Sequence, residues 1–375
     1  MDENSHYDVV IVGGGLAGLT AALHLSTVEV RVLLIEQHEY PNHKVCGEYL
    51  SNEILDYLKY LGVDPLEAGA VEIDELEIST INGKKVRSKL PLGGFGISRF
   101  ALDALMFNAV KEEMDVVIDT VVDISFDDDI FRVNTQNGET FSGTYVLGAF
   151  GKRSKLDKSL QREFILKKSR WLAVKCHYDY RFPSNLVALH NFTGGYCGLS
   201  KVENDKVNAC YLVTYDSFKK VNDIEEFQQK VMSENKHLKH FFENAMPVFE
   251  KPLAIGQISF DSKKLVEDHI LMIGDSAGLI HPLCGNGMSM AIHSAKMVSE
   301  ILLSAVKCNI NRNEVETYYS KAWKKTFSSR LRTGRIAQRI LLNQSASEIG
   351  FRMARAFPGI LPGIIKSTHG EMVEI

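Results

Sequence analysis

The stretch from Tyr7 to Glu36 constrains this chain more than any other, because it joins a buried strand, a glycine turn, a helix and a second strand ending in an acid. Asp8-Val9-Val10-Ile11-Val12 is a short, continuously apolar run rich in β-branched residues, the pattern of a central parallel strand covered on both faces. Gly13, Gly14, Gly15, Leu16, Ala17 and Gly18 follow at once. Gly13 permits a tight turn, Gly15 lets a pyrophosphate approach the backbone, and Gly18 lets the next helix pack closely on the strand. That helix is predicted to run to about Ser26, with Leu19, Ala22, Leu23 and Leu25 on its buried side. Val30 to Ile35 is then a second strand. Glu36, with Gln37 after it, stands where a carboxylate accepts hydrogen bonds from an adenosine ribose. The helix N-terminus adds unpaired N–H groups and a positive dipole end for the phosphates. Strand, turn, helix and acid in this order point to nucleotide binding, which a bare glycine turn would not do. An acid rather than an arginine fits a free ribose 2′-OH, which NAD and FAD share, so the motif does not choose between them.

The rest of the chain can hold more than one domain, since 375 residues with 45% hydrophobic content and a net charge of −4 supply a sizeable core. The first strand begins without a charged and apolar leader, and no apolar run approaches a bilayer-spanning length, so a cytoplasmic protein is expected. The cysteines at 46, 176, 197, 210, 284 and 308 form no CxxC pair and no Cys/His cluster. Neither a metal site nor a disulfide framework is indicated.

Loops at the carboxyl ends of strands carry the ligand chemistry of such sheets. One runs from Pro41 through Lys44, Val45, Cys46, Gly47 and Glu48 to Ser51, ahead of a helix predicted near Asn52 to Leu61. From spacing alone, Cys46 is either a structural thiol or a site residue. Residues 71–92 alternate apolar and polar about Asn82-Gly83, a hairpin of a different sheet. Gly93 to Gly96 lack a strand-to-helix frame and form no second dinucleotide site. A helix is expected from Phe100 to Glu113, with Arg99 just before it as a phosphate partner or a solvated cap. Val116 to Ile124 reads as one strand, and Phe131 to Val133 with Thr140 to Leu147 as a hairpin. Strands are predicted at Trp171 to Tyr180, Leu186 to His190, Val207 to Tyr215 and Leu253 to Phe260, with a helix over 225–245. This block reads as an antiparallel unit inserted into the nucleotide domain.

His269 to Ile273 is a short buried strand ending in Gly274-Asp275, and a helix is predicted from Met288 to about Ala305. Asp275 is placed to bind a sugar-like hydroxyl, and a helix beginning at Gly287 points its positive end into the same cleft. Residues 311–375 are helical, amphipathic and basic, with Trp323, Phe327 and Leu331 at helical spacing. That basic face is either solvated and packed on the body, or in contact with an anionic membrane or substrate. Aromatics do not interleave with this charge as in nucleic-acid readers, so no nucleic acid is expected.

Taken together, Gly13 to Gly18 with Glu36, Lys44-Val45-Cys46-Gly47, Arg99, and Gly274-Asp275 followed by Pro282 and Gly285-Asn286-Gly287 resemble the geranylgeranyl reductase group of FAD enzymes with the aromatic-hydroxylase fold. The resemblance covers almost the whole chain. It implies that the nucleotide is FAD, that Asp275 holds the ribityl chain, and that the helix after Gly287 faces the flavin N1 and C2 carbonyl. It assigns Gln37, Cys46, Gly47, Arg99, Val122, Asn286 and Met288 to the cofactor as well, Tyr196 and Gly198 with Cys46 to the substrate, and Cys46 to catalysis. Two departures stand out. Phe150 in Ala149-Phe150-Gly151 replaces the usual Asp, which bears on direct use of NAD(P)H. Gly198 and Ser200 replace a Trp and a Pro, which implies a roomier pocket.

The expected architecture is therefore α/β, a Rossmann-like FAD-binding domain with an inserted antiparallel β substrate domain and C-terminal helices. The FAD-binding domain is placed at 1–70, 96–165 and 261–310, the substrate-binding sheet at 71–95 and 166–260, and the helical region at 311–375. The expected function is an FAD-dependent oxidoreductase reducing a C=C bond in a hydrophobic small molecule of isoprenoid, lipid or polyketide type. The alternatives are a monooxygenase hydroxylating an aromatic or polyketide-derived ring, and a non-catalytic electron-transfer or lipid-binding flavoprotein. The electron donor is either NAD(P)H or a reduced carrier.

Overall fold

Asp8 to Val12 become the middle of a strand, His6–Val12, because every side chain from Val9 onward has a covered face to enter. In the computed structural model, which describes residues 6–375, this strand pairs in parallel with Val32–Glu36 on one side and Thr140–Gly148 on the other. Asp115–Ile118 extends the sheet beyond Val32–Glu36, and Ile270–Met272 extends it beyond Thr140–Gly148. Parallel strands buried on both faces need cover; the helix Leu16–Leu25 packs on His6–Val12 and Val32–Glu36, and the helix Gly287–Cys308 packs on that helix in turn. The fold class is the expected one.

A nine-stranded sheet stands beside the first. Its neighbours are antiparallel, except that Val71–Ser79 runs parallel to Leu186–Phe192. Its covered face packs on the helices Ile224–Lys230 and Lys236–Asn244 through Phe227, Leu238 and Phe241. The C-terminal region forms three helices, Arg312–Leu342, Gln344–Ala356 and Ile360–Thr368.

Several expected elements are corrected. Val116 to Ile124 is two strands, Asp115–Ile118 and Val121–Asp127, because Asp119 turns the chain by accepting from the Asn137 backbone N–H at 3.0 Å. The helix expected over 225–245 is broken at Asn235, whose buried amide donates to Thr80 and Asn191 carbonyls at 3.1 and 3.0 Å. Gly93 to Gly96 belong to the strand Lys85–Gly96, and Tyr49–Ser51 pairs with its end in what reads as loop. Leu253–Gly256 is shorter than expected.

Candidate functional site

A continuous cavity of about 1380 Å³ runs between the two sheets and under the C-terminal helices. At one end lies the glycine turn. Gly13 takes φ +107°, and Gly13, Gly15, Leu16 and Ala17 border the space. The helix Leu16–Leu25 has no acid in its first turn and no side-chain cap, so its leading N–H groups are left for a ligand. Gly14 and Gly18 do not border the cavity and serve the turn itself. Gly14 N–H donates to Glu36 Oε2 at 2.6 Å, and a Cβ on Gly18 would run into the Gly13 carbonyl oxygen. Glu36 is buried at the end of its strand, accepts also from His38 N–H at 3.1 Å, and faces the cavity with Gln37.

Arg99 is the first residue of the helix Arg99–Val110 rather than its predecessor. Its guanidinium donates to both oxygens of Asp103 at 2.7 and 2.8 Å, and Lys44 Nζ adds a bond of 2.8 Å to the same carboxylate. Burial opposes charge on both partners. The Arg99 charge first, and Lys44 second, nevertheless hold Asp103 below the usual carboxylate range, and Asp103 keeps Arg99 cationic. A Cβ on Gly15 would lie 3.8 Å from Arg99 Nη2, so a fixed cation stands beside the turn. Tyr40 stacks on Phe107 at 4.1 Å and donates its hydroxyl to the Gly14 carbonyl, a support that no sequence pattern announced.

The role expected of Val122 is corrected. Strand residues alternate between faces, and Val122 points outward at 49% exposure while its neighbour Val121 borders the cavity. Asn286 is corrected too. Its side chain is fully buried and donates to the Thr368 carbonyl at 2.9 Å, so it pins the C-terminal segment instead of facing the cavity. Gly285, at φ +64°, and Gly287 and Met288 do border it. They form the uncapped start of a 22-residue helix, which brings a second positive helix end to the space. Asp275 follows the strand Ile270–Met272 and also faces the cavity, with its carbonyl accepting from buried Lys263 at 2.7 Å.

Cys46 borders the cavity with Gly47, and its Sγ lies 3.4 Å from Met288 Sδ. The loop that carries it is tied down from two sides. Asn208 Nδ2 donates to the carbonyls of Cys46 and Gly47 at 3.1 and 2.9 Å, and Lys152 Nζ donates to that of Val45 at 3.0 Å. Glu48, buried at φ +55°, takes Lys175, the His177 ring at 2.6 Å and the Arg99 N–H at 2.8 Å. Burial is the largest influence on Glu48 and would raise it. The His177 hydrogen bond and the Lys175 charge together outweigh that and hold it below its ordinary value.

Beyond Cys46 the cavity widens. Tyr196, Gly198, Ser200 and Leu212 form part of its floor, and a Cβ at Gly198 would make only ordinary contacts of 3.5 and 3.6 Å. The space then enters a slot that sequence reading did not foresee. Leu76, Ile78, Val86, Leu90, Val187 and Leu189 wall it from the nine-stranded sheet. Ile340, Leu341, Phe351, Leu361, Ile364 and Ile365 wall it from the C-terminal helices.

The profile of a family described as FAD binding domain matches residues 6–325. The chain belongs to this family. It binds FAD, as the family does, and is an FAD-dependent oxidoreductase. The cradle fits the group: two uncapped helix starts, a fixed arginine and a strand-end carboxylate face one cavity. The chain is 23% identical to digeranylgeranylglycerophospholipid reductase of Methanosarcina acetivorans, across 94% of this chain and 91% of that protein. It is also 23% identical to 3-demethoxyubiquinol 3-hydroxylase of Escherichia coli, across 80% and 81%. With conditioned medium factor receptor 1 of Dictyostelium discoideum it shares 23% identity across 81% of this chain and 64% of that protein. Among solved structures, a flavin-dependent brominase superposes with a TM-score of 0.80 at 18% identity, covering 96% of this chain and 92% of that one. The myxobacterial chondrochloren halogenase gives 0.78 at 15% identity, covering 97% and 92%. These structures share the fold.

Proposed function

We propose that this FAD-dependent oxidoreductase reduces a carbon–carbon double bond in a long, flexible hydrophobic molecule. The slot between the sheet and the C-terminal helices carries this reading, because its walls are almost wholly aliphatic. An aliphatic slot that leads away from the cofactor cradle takes an extended chain more readily than a compact polar ring. FAD, once bound and reduced, would supply the hydride, and a site acid, for which Cys46 is the candidate, would supply the proton that completes the saturated bond. The chain's own residues do the rest. The uncapped helix starts and Arg99 bind the cofactor's anionic parts, and Asp275 orients its polyol. Glu48, through Lys175 and His177, holds Cys46 at the junction of cradle and slot. The apolar walls exclude water from the reacting carbons.

Phe150 borders the cavity where the resemblance has an aspartate, which favours a reduced carrier over NAD(P)H as electron donor. The monooxygenase reading draws support from the room left at Gly198 and from the similarity to the E. coli hydroxylase. One experiment separates the two. Chemically reduced holoprotein, mixed without oxygen with a prenyl lipid, should regain oxidised flavin absorbance as the double bond is saturated. Reoxidation by oxygen alone, with labelled oxygen in a ring product, would establish the monooxygenase instead.

A further inference from the structure

Besides walling the slot, the three C-terminal helices turn an apolar face outward. Helical spacing aligns Ile336 with Ile340 on the first helix, and Ile349, Met353 and Phe357 along the second, with Ile364 on the third. These side chains are between 42% and 63% exposed, although the same helices already bury Phe327, Phe351 and Ile365 on their other side. Ile340, Met353 and Ile364 also border the cavity, so the exposed apolar face forms the lip of its mouth.

Charge decides what such a face meets. Arg332, Arg335, Arg339, Arg352 and Arg355 flank it, exposed and without ion pairs among the described residues. Glu348 is the only acid from 321 to 370, and it is held by Lys84 at 3.4 Å and Asn82 at 3.2 Å. Apolar side chains ringed by arginines are what an interfacial helix offers to anionic headgroups. A second copy of the chain would bring the same positive charge to the contact, which opposes self-association. Among the described residues no helix is long and apolar enough to cross a membrane, so the contact lies along the surface.

We propose that this face rests on an anionic lipid bilayer, with Met353, Phe357 and Ile364 at the headgroup–acyl boundary and the arginines on lipid phosphates. The mouth of the slot then opens into the bilayer, and an apolar substrate enters without crossing water. That purpose rests on the reading of the substrate given above, whereas the contact itself rests on the surface alone.

The test uses the full-length, FAD-loaded protein, sedimented without substrate with vesicles of phosphatidylcholine or of an equal mixture with phosphatidylglycerol. Binding is expected to the anionic vesicles only, and to weaken as sodium chloride is raised. Arg352→Gln with Arg355→Gln should weaken it by roughly 25-fold, at about five-fold per cation. Met353→Ser with Phe357→Ser should weaken it as well, with FAD content and melting temperature unchanged in both variants. Equal binding to both vesicles, no binding, or binding unaltered in both double variants would overturn the proposal. So would a dimer, seen by light scattering, that the Met353 and Phe357 changes dissociate, since that assigns the face to a second copy. Sedimentation involves no turnover, so a wrong reaction leaves its result intact. A protein that fails to sediment yet reduces detergent-dispersed prenyl lipid refutes the docking alone.

Discussion

Cys46 stands at the junction of cradle and slot, and its thiol contributes little to packing beyond the contact with Met288. Replacing it with Ala should therefore change stability by no more than about 0.5–1 kcal/mol. If the thiol touches the reacting end of the substrate, turnover should fall by roughly 100-fold, the lower range for a lost proton-transfer group. Parallel measurement of melting temperature, FAD content and turnover checks this, and joint loss of all three would mark Cys46 as structural. Glu48 behaves differently. Glu48→Gln removes the counter-charge of the fully buried Lys175, a change worth about 3–5 kcal/mol of stability. Its effect also has a pH signature. The folded state holds Glu48 below its ordinary 4.5 and Asp103 below 3.8, so both contribute stability that is complete above those values. That stability is lost as pH falls through the lowered folded values. Melting curves should thus show a steep acid limb beginning near pH 4.5, and Glu48→Gln should flatten it. Sequence reading placed Cys46 at the site because it sits in a strand-end loop. It missed Glu48 with Lys175 and His177, because those partners lie 127 and 129 residues away and no local pattern marks them.

At the scale of elements, the glycine turn was legible in full because every constraint on it is local: strand, turn, helix and acid lie within Tyr7 to Glu36. A Cβ at position 18 meets backbone, which cannot yield as a side-chain end can. Gly18→Val should push the helix Leu16–Leu25 off its strand and yield protein without FAD, read as lost flavin absorbance. Asp275→Ala should act more narrowly. It removes a carboxylate from the cavity wall without touching the core, so FAD should dissociate more readily while the apoprotein melts as before. Unfolding of Asp275→Ala would show that the residue supports the turn instead. Val122 and Asn286 show where local reading stops. The motif fixes which loop arrives at the cavity, but pleat and bulge choose Val121 over Val122. A distant carbonyl, that of Thr368, claims the Asn286 side chain. The break at Asp119 and Thr120 was hidden because Val116 to Ile124 is apolar on both sides of it.

For the whole molecule, the C-terminal helices were legible as amphipathic and basic, but not as one wall of a cavity. Their docking depends on contacts that join the two ends of the chain. Glu53 accepts from the Gly370 N–H, pairs with Arg330 at 3.5 Å and passes its carbonyl to Val373 N–H at 2.8 Å. Burial raises Glu53 and lowers Arg330, so desolvation outweighs their mutual attraction, and the pair serves position more than stability. Because those contacts close the slot over the sheet, the length of the slot becomes a property of the assembled chain, and it can be shortened from one side. Ile78 is half-buried on Val71–Ser79, with its side chain on the cavity wall. Ile78→Trp adds volume to space that is already open, so the usual overpacking cost of about 1–3 kcal/mol should be largely avoided. FAD content should stay unchanged. Across a ladder of prenyl chain lengths, the longest substrates should lose kcat/KM first while the shortest keep theirs. A uniform fall across the ladder would mean that substrates do not lie along the slot.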